Sequence, residues 1–268
     1  MLKDITIGQY FPGDTIIHKL DPRIKILISI MFIVSLFFIK DFYPYAFILG
    51  FILLSIILSK IPVRFVLKGL KPLMLIIIIT FLINMFLTKG EILYKLGPLT
   101  ITKEGLSQAV FMALRLIFLI TGTSLLTLTT SPISLTDGIE SLLSPFKKIG
   151  LPAHELAMMM TIALRFIPTL LEETDKIMKA QMARGADFES GNVINRAKNL
   201  VPLLVPLFVN AFRRADELAI AMEARCYRGG EHRTRLKELK LGKVDGIALT
   251  ISIMFFGFII STKYINYF

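Results

Sequence analysis

The sequence predicts an all-α, polytopic membrane protein with about five transmembrane helices and long amphipathic coupling helices on the cytoplasmic side. Three observations carry this. Hydrophobic residues make up 54% of the 268 and the mean hydropathy is +0.67, high for a soluble domain. Charged residues still reach 19%, so greasy and charged stretches alternate in blocks. The apolar residues fall into five runs, while most of the acids and more than half of the bases collect in 131–245.

The runs cover 24–39, 42–58, 70–87, 106–129 and 247–262. A helix needs ~20 residues to cross about 30 Å of hydrocarbon. Several fall short, the first two being the weakest spans, and such spans tilt, thin the bilayer or turn back within it. Residues 1–130 therefore read as an N-terminal transmembrane region, 131–245 as a cytoplasmic-side coupling region and 246–268 as a C-terminal transmembrane helix. Orientation follows the basic loops. Lys3, Lys19, Arg23 and Lys25 precede or open the first run, and Lys60, Arg64, Lys68 and Lys71 lie between the second and third. The turn at Lys40–Asp41 and the loop from Lys89 to Glu104 are nearly neutral. The consistent solution puts the N-terminus inside and the C-terminus outside, in a multi-pass plasma-membrane protein. "MLKDITIGQYFPGD" lacks an immediate apolar core and a cleavage site, so no signal peptide is read there.

A formal charge of +11 suits nucleic acid, anionic membrane lipid or an acidic protein. No Arg-rich arm, zinc spacing or aromatic platform supports nucleic acid. The single Cys allows no internal disulfide.

Within the charged interval, "SPISLTDGIESLLSPFKKIGLP" reads as a short amphipathic helix punctuated by Pro132, Pro145 and Gly150–Leu151–Pro152. A long helix follows from about Ala153 to Arg184, its stripe passing through Leu156, Met160, Ala163, Ile167, Leu170, Thr174 and Ile177. Pro168 predicts a kink, because the pattern resumes beyond it. After a loop at "GADFESGN", a second long helix runs from about Leu200 to Arg225, with Pro202 and Pro206 in its first turns. Its stripe takes in Leu204, Leu207, Phe208, Ala211, Ala215, Leu218 and Met222, and Ala211, Ala215 and Ala219 form a row of small residues that admits a second helix.

The two long helices end alike. "DKIMKAQMARG" (Asp175–Gly185) and "DELAIAMEARC" (Asp216–Cys226) align Ala183 with Ala224 and Arg184 with Arg225. An Arg at a helix C-terminus complements the dipole, and Gly185 is a natural C′ residue. A dipole accepts Lys or His at neighbouring positions as readily, so two endings in one register point further. Each is expected to plug into a similar socket on a partner, with the small Ala allowing close approach and the Arg offering a fork to a carboxylate. Cys226 in place of Gly weakens the expected cap at the second ending.

These endings, with Asp21-Pro22-Arg23 inside "HKLDPRIKIL", resemble the transmembrane T component of energy-coupling factor (ECF) transporters, a family that includes the cobalt-type permease subunits. The similarity covers nearly the whole chain. It implies a membrane scaffold linking two ABC-type ATPases, a homologous pair, to a small substrate-binding membrane protein, the S component. On that resemblance Ala183, Arg184, Gly185 and Ala224, Arg225, Cys226 dock on the ATPases, which bind ATP and Mg, while this chain holds no cofactor or metal. The crossing helices, through Leu156, Met160, Ala163, Ile167, Pro168, Leu204, Leu207, Ala211, Ala215 and Leu218, face the S component. Asp21, Pro22 and Arg23 belong to the signature with a structural default: Asp21 as cap, Pro22 in the first turn.

No G-x-x-x-x-G-K-[ST] loop is present to cradle phosphates, so the chain is read as a non-catalytic subunit. His18, His154 and His232 stand isolated, as solvated or satisfied side chains. Glu172, Glu173 and Asp175 read as a solvated or ion-paired face, with Asp175–Lys179 and Arg213–Glu217 at i,i+4 spacing. Arg115 lies inside the fourth apolar run and either pairs within the bundle or meets the S component. A dedicated cobalt or nickel subunit is the alternative to a shared vitamin-uptake module, and a pore-forming ABC permease is a further rival.

Overall fold

The structure, a computed structural model, describes residues 10–96, 99–186, 188, 193–229 and 239–265. They form two compact units, one from the described part of Ile139–Glu238 and the other from that of Gly8–Gly138 and Leu239–Phe268.

The second unit is a helical bundle. A short α1 (Ile16–Lys19) leads into α2 (Pro22–Phe38), which starts where Asp21 accepts the Arg23 N–H and Pro22 fixes the first turn. The next helix, α3 (Tyr43–Ser59), ends on Lys60 in the left-handed conformation, φ 54°, just before Ile61–Pro62. The run Val63–Leu87 consists of α4 (Val63–Leu70) and α5 (Met74–Leu87), joined by a 3-10 turn at Pro72, whose missing N–H interrupts the ladder. α6 (Lys103–Thr129) is capped by the Thr102 hydroxyl, which accepts the Gly105 N–H at 3.0 Å. α7 (Pro132–Leu143) belongs to this unit as far as Gly138, and α10 (Lys243–Ile265) closes the bundle.

One difference from the sequence reading is local. The segment expected as a loop between Lys89 and Glu104 contains an antiparallel hairpin, β1 (Ile92–Leu96) with β2 (Leu99–Thr102). Alternating Ile92, Tyr94 and Leu96 favour the extended backbone.

The core lies where α2, α3, α6 and α10 meet, with Leu36, Ile48, Leu128, Phe256 and Ile259 fully buried. Phe51 stacks on Phe255 at 5.3 Å and meets Phe256 edge-on at 5.2 Å. Such pairs add about 0.5–1.5 kcal/mol beyond their area. Gly122 is required here, because a Cβ would lie 2.2 Å from the Phe32 ring.

Val63–Leu87, Lys103–Thr129, Ala153–Ala183 and Lys243–Thr262 are long and apolar enough to cross a membrane. α2 and α3 are 17 residues each, short as expected. Ala153–Ala183 joins the set on length, but its best window has a mean hydropathy of 1.2 against 2.0–2.3 for the other three. It carries charge on one face, the pattern of an amphipathic helix.

Arg115 pairs within the bundle. Its Nη2 donates to the Ile39 carbonyl at 2.8 Å, its Nε to the Tyr45 hydroxyl at 3.3 Å, and its guanidinium lies 4.9 Å from the Phe111 centroid. Lys25 reaches the Thr129 carbonyl at 2.9 Å at the far end of the same helix pair. α2 therefore runs antiparallel along α6 from the level of Thr129 to that of Arg115, about 21 Å. Arg115 sits where the α2–α3 hairpin turns.

The first unit is dominated by α8 (Ala153–Ala183) and α9 (Val193–Ala224). α8 continues through Pro168. α9 begins before the predicted Leu200, so Pro202 and Pro206 are interior rather than first-turn residues. Pro206 has no N–H for the carbonyl four residues back, that of Pro202, and the Gln181 Nε2 of α8 donates to that oxygen at 3.5 Å.

Candidate functional site: two matched helix ends

Both long helices terminate in a Schellman motif, bond for bond. At the end of α8 the Gly185 N–H donates to Met182 and the Ala186 N–H to Gln181, both at 3.0 Å. At the end of α9 the Cys226 N–H donates to Glu223 at 2.8 Å and the Tyr227 N–H to Met222 at 3.0 Å. Gly185 has φ 91° and Cys226 φ 57°. The cap expected to be weaker at Cys226 keeps the same geometry. The pair of reverse hydrogen bonds holds a Cβ-bearing residue in the left-handed region, at a cost of roughly 1–2 kcal/mol. Ala183, Arg184, Gly185, Ala224, Arg225 and Cys226 are all exposed.

The helices also cross at matched positions. Arg214 of α9 is ion-paired with Glu173 of α8, and these two correspond under the alignment that equates Arg184 with Arg225. Equivalent residues of a repeat touch only near the axis relating its copies, so this pair marks the pseudo-two-fold. Gln181 faces Pro202 on one side of it, and Met158 and Ile162 share a cavity with Leu218 and Met222 on the other. α8 and α9 are thus antiparallel, with the two Arg ends on opposite arms. Each arm is eleven residues long, about 16 Å.

The predicted crossing surface divides in two. Met160, Leu207, Ala211 and Leu218 are half-buried, whereas Leu156, Ala163, Ile167, Pro168, Leu204 and Ala215 are exposed. α9 carries one apolar face toward α8 and another outward, where Val205, Phe208 and Phe212 are 56%, 60% and 69% exposed. The Asp175–Lys179 pair forms at 2.7 Å, and Arg213 and Glu217 line the polar cavity beside the Glu173–Arg214 pair. His154 bonds Glu140 at 3.0 Å, and His232 lies outside the described residues.

Asp21-Pro22-Arg23 forms a clasp in the bundle. The Asp21 carboxylate accepts the Arg23 backbone N–H at 2.8 Å and its guanidinium at 2.8 and 3.0 Å. The Asp21 N–H donates to Asp245 Oδ1, and the Gly242 N–H to Asp245 Oδ2, both at 2.8 Å. Arg23 Nη2 also donates to the Leu239 carbonyl at 3.0 Å. The signature therefore fastens the start of α2 to the approach and first turn of α10. Burial pushes the Asp21 carboxyl up, but the hydrogen bonds and charge of Arg23 outweigh it and hold the group below its usual range. Asp245 escaped the sequence reading. Its signal was the "GKVD" spacing, in which an acid at the third helical position reaches back to the cap N–H.

Among the described residues no three His, Cys, Asp or Glu side chains gather as a metal site. Comparison with known proteins agrees with the resemblance. The family profile described as cobalt transport protein (CbiQ) matches residues 13–236, which include both helix ends and the clasp residues of α2. The energy-coupling factor transporter transmembrane protein EcfT of Thermosediminibacter oceani is 67% identical over 244 residues, 91% of this chain and 92% of that protein. Its counterpart in Clostridium kluyveri is 66% identical over 250 residues, covering 92% and 93%. That of Bacillus subtilis is 49% identical over 257 residues, covering 95% and 97%. The chain is a multi-pass membrane protein and belongs to the CbiQ family of cobalt transport proteins, among the transmembrane components of energy-coupling factor transporters.

Proposed function

We propose that this chain is the scaffold of an ECF-type importer, joining two cytoplasmic ABC-type ATPases to a substrate-binding S component for uptake of a vitamin or similar micronutrient. Residues 1–130 and 246–268 occupy the bilayer with the N-terminus inside and the C-terminus outside, and 131–245 works on the ATPase side. ATP and Mg are bound by the partners. What supports this reading is the bond-for-bond match of the two helix ends, each presenting an exposed Arg just before its left-handed residue. Two like plugs fit two like sockets, as a pair of homologous ATPases offers. Arg184 and Arg225 each face a carboxylate there, and the exposed apolar faces of α8 and α9 receive the S component.

Substituting Arg184→Glu and Arg225→Glu, singly and together, tests it by co-purification with the ATPases and ATP-driven uptake. Loss of one desolvated pair costs roughly 2–5 kcal/mol, so each single variant is expected to weaken assembly and the double variant to abolish it. Intact assembly and full transport in the double variant defeat the proposal.

A further inference from the structure

A groove in the bundle answers to a different chemistry. α3 and α10 meet at the Phe51–Phe255 stack and separate beyond it, leaving a cavity of about 370 Å³. α2 and α6 form its floor through Phe32 and Leu125, and Leu54, Ala248 and Ile251 contribute to its walls. The volume falls within the ~300–1,000 Å³ of small-ligand pockets. Leu54 and Ile251 are 55% and 61% exposed, continuous with Ile57 at 70% and Met254 at 71%. The mouth thus opens from the apolar belt of a membrane protein, toward hydrocarbon rather than water.

One end of the groove is cationic. Lys19 ends α1 beside the lining residue Leu20, Lys60 caps α3 two residues after the lining Leu58, and Lys243 opens α10 beside the lining Val244. All three are exposed. Of the acids on the same elements, Asp21 is engaged with Arg23 and Asp245 with the backbone N–H groups of Asp21 and Gly242, which leaves the exposed Asp14 ahead of α1. Lys25, also in the lining, is held by the carbonyls of His18 and Thr129. An apolar trough ending in three lysines at helix termini has the charge and length order of a phospholipid, tail first and phosphate at the rim.

We propose that this groove binds an acyl chain of an anionic phospholipid, with its phosphate held by Lys19, Lys60 and Lys243. The site is independent of the ATPase docking above. The full-length protein, purified in detergent with whatever assembles on it, is exposed to phosphatidylglycerol and phosphatidylcholine of identical chains, and retained lipid is counted by native mass spectrometry. Phosphatidylglycerol is expected to be retained at least about tenfold better, given the attraction of three lysines. Ala248→Phe, which fills the trough, is expected to lose both lipids. Lys19→Gln/Lys60→Gln/Lys243→Gln, which alters only exposed side chains, is expected to hold both equally and decides the matter should Ala248→Phe fail to fold. Equal retention by the unaltered chain, undiminished phosphatidylglycerol binding in either folded variant, or photocrosslinking from position 251 to polypeptide instead of lipid overturns the proposal.

Discussion

Replacing Asp245 by Ala removes the acceptor for two backbone N–H groups at once. The Asp21 N–H is buried and donates at 2.8 Å to a carboxylate that is 6% exposed. Stranding such a donor costs about 1–3 kcal/mol. Losing the reach back to Gly242 removes a helix cap, typically ~1 kcal/mol. The sum is about 3 kcal/mol, which for a chain of this size lowers the melting temperature by roughly 6–12 °C. Asp245→Asn keeps one acceptor oxygen and is expected to fall midway. The sequence has no Trp, so the assay is circular dichroism of helix loss on heating the purified chain in detergent. Lys179→Ala serves as control, since its partner Asp175 and it are both exposed and such pairs contribute at most about 1 kcal/mol. A shift for Asp245→Ala no larger than for Lys179→Ala would refute the clasp.

Three further outcomes are expected. Gly185→Ala forces a Cβ into φ 91° and should speed amide exchange at Ala186 about tenfold, whereas Cys226→Gly should slow exchange at Tyr227, both read by hydrogen–deuterium exchange. Arg214→Ala leaves the half-buried Glu173 without its cross-helix cation, and adding Glu173→Ala should recover part of the loss, with a coupling of ~0.5–3 kcal/mol in a double-mutant cycle. His18 has its imidazole held below the usual range chiefly by burial, with Nε2 donating to the Phe11 carbonyl and Nδ1 accepting from Thr15. The folded state prefers the neutral ring, so this contribution is complete above about pH 6.5 and lost as pH falls through the lower folded value. Melting temperature should therefore drop from pH 7.5 to 5.5, and drop less in His18→Gln.

Much of the fold was legible because membrane segments and amphipathic helices write their burial into composition. The apolar runs at 70–87, 106–129 and 247–262 became helices close to those bounds. The paired endings were legible too, because a Schellman cap places its small and left-handed residues at fixed spacing. The start of α9 was not, since its continuity through Pro206 draws on an amide from Gln181, a contact between helices. The single stripe read on α9 divides into two faces for a related reason. A helix with apolar residues on two faces shows one broad 3.6-residue rhythm, and only α8 decides that Leu207, Ala211 and Leu218 turn inward while Leu204 and Phe208 do not. Asp245 was hidden by distance, as its partner lies 224 residues away in sequence.

The charged crossing of α8 and α9 has a mechanical consequence. With Glu173 and Arg214 as fulcrum, the segments leading to positions 184 and 225 are levers of equal length. Equal and opposite displacements of their ends turn the pair about that point with no net translation, so forces applied to the two ends in opposite senses deliver torque rather than thrust.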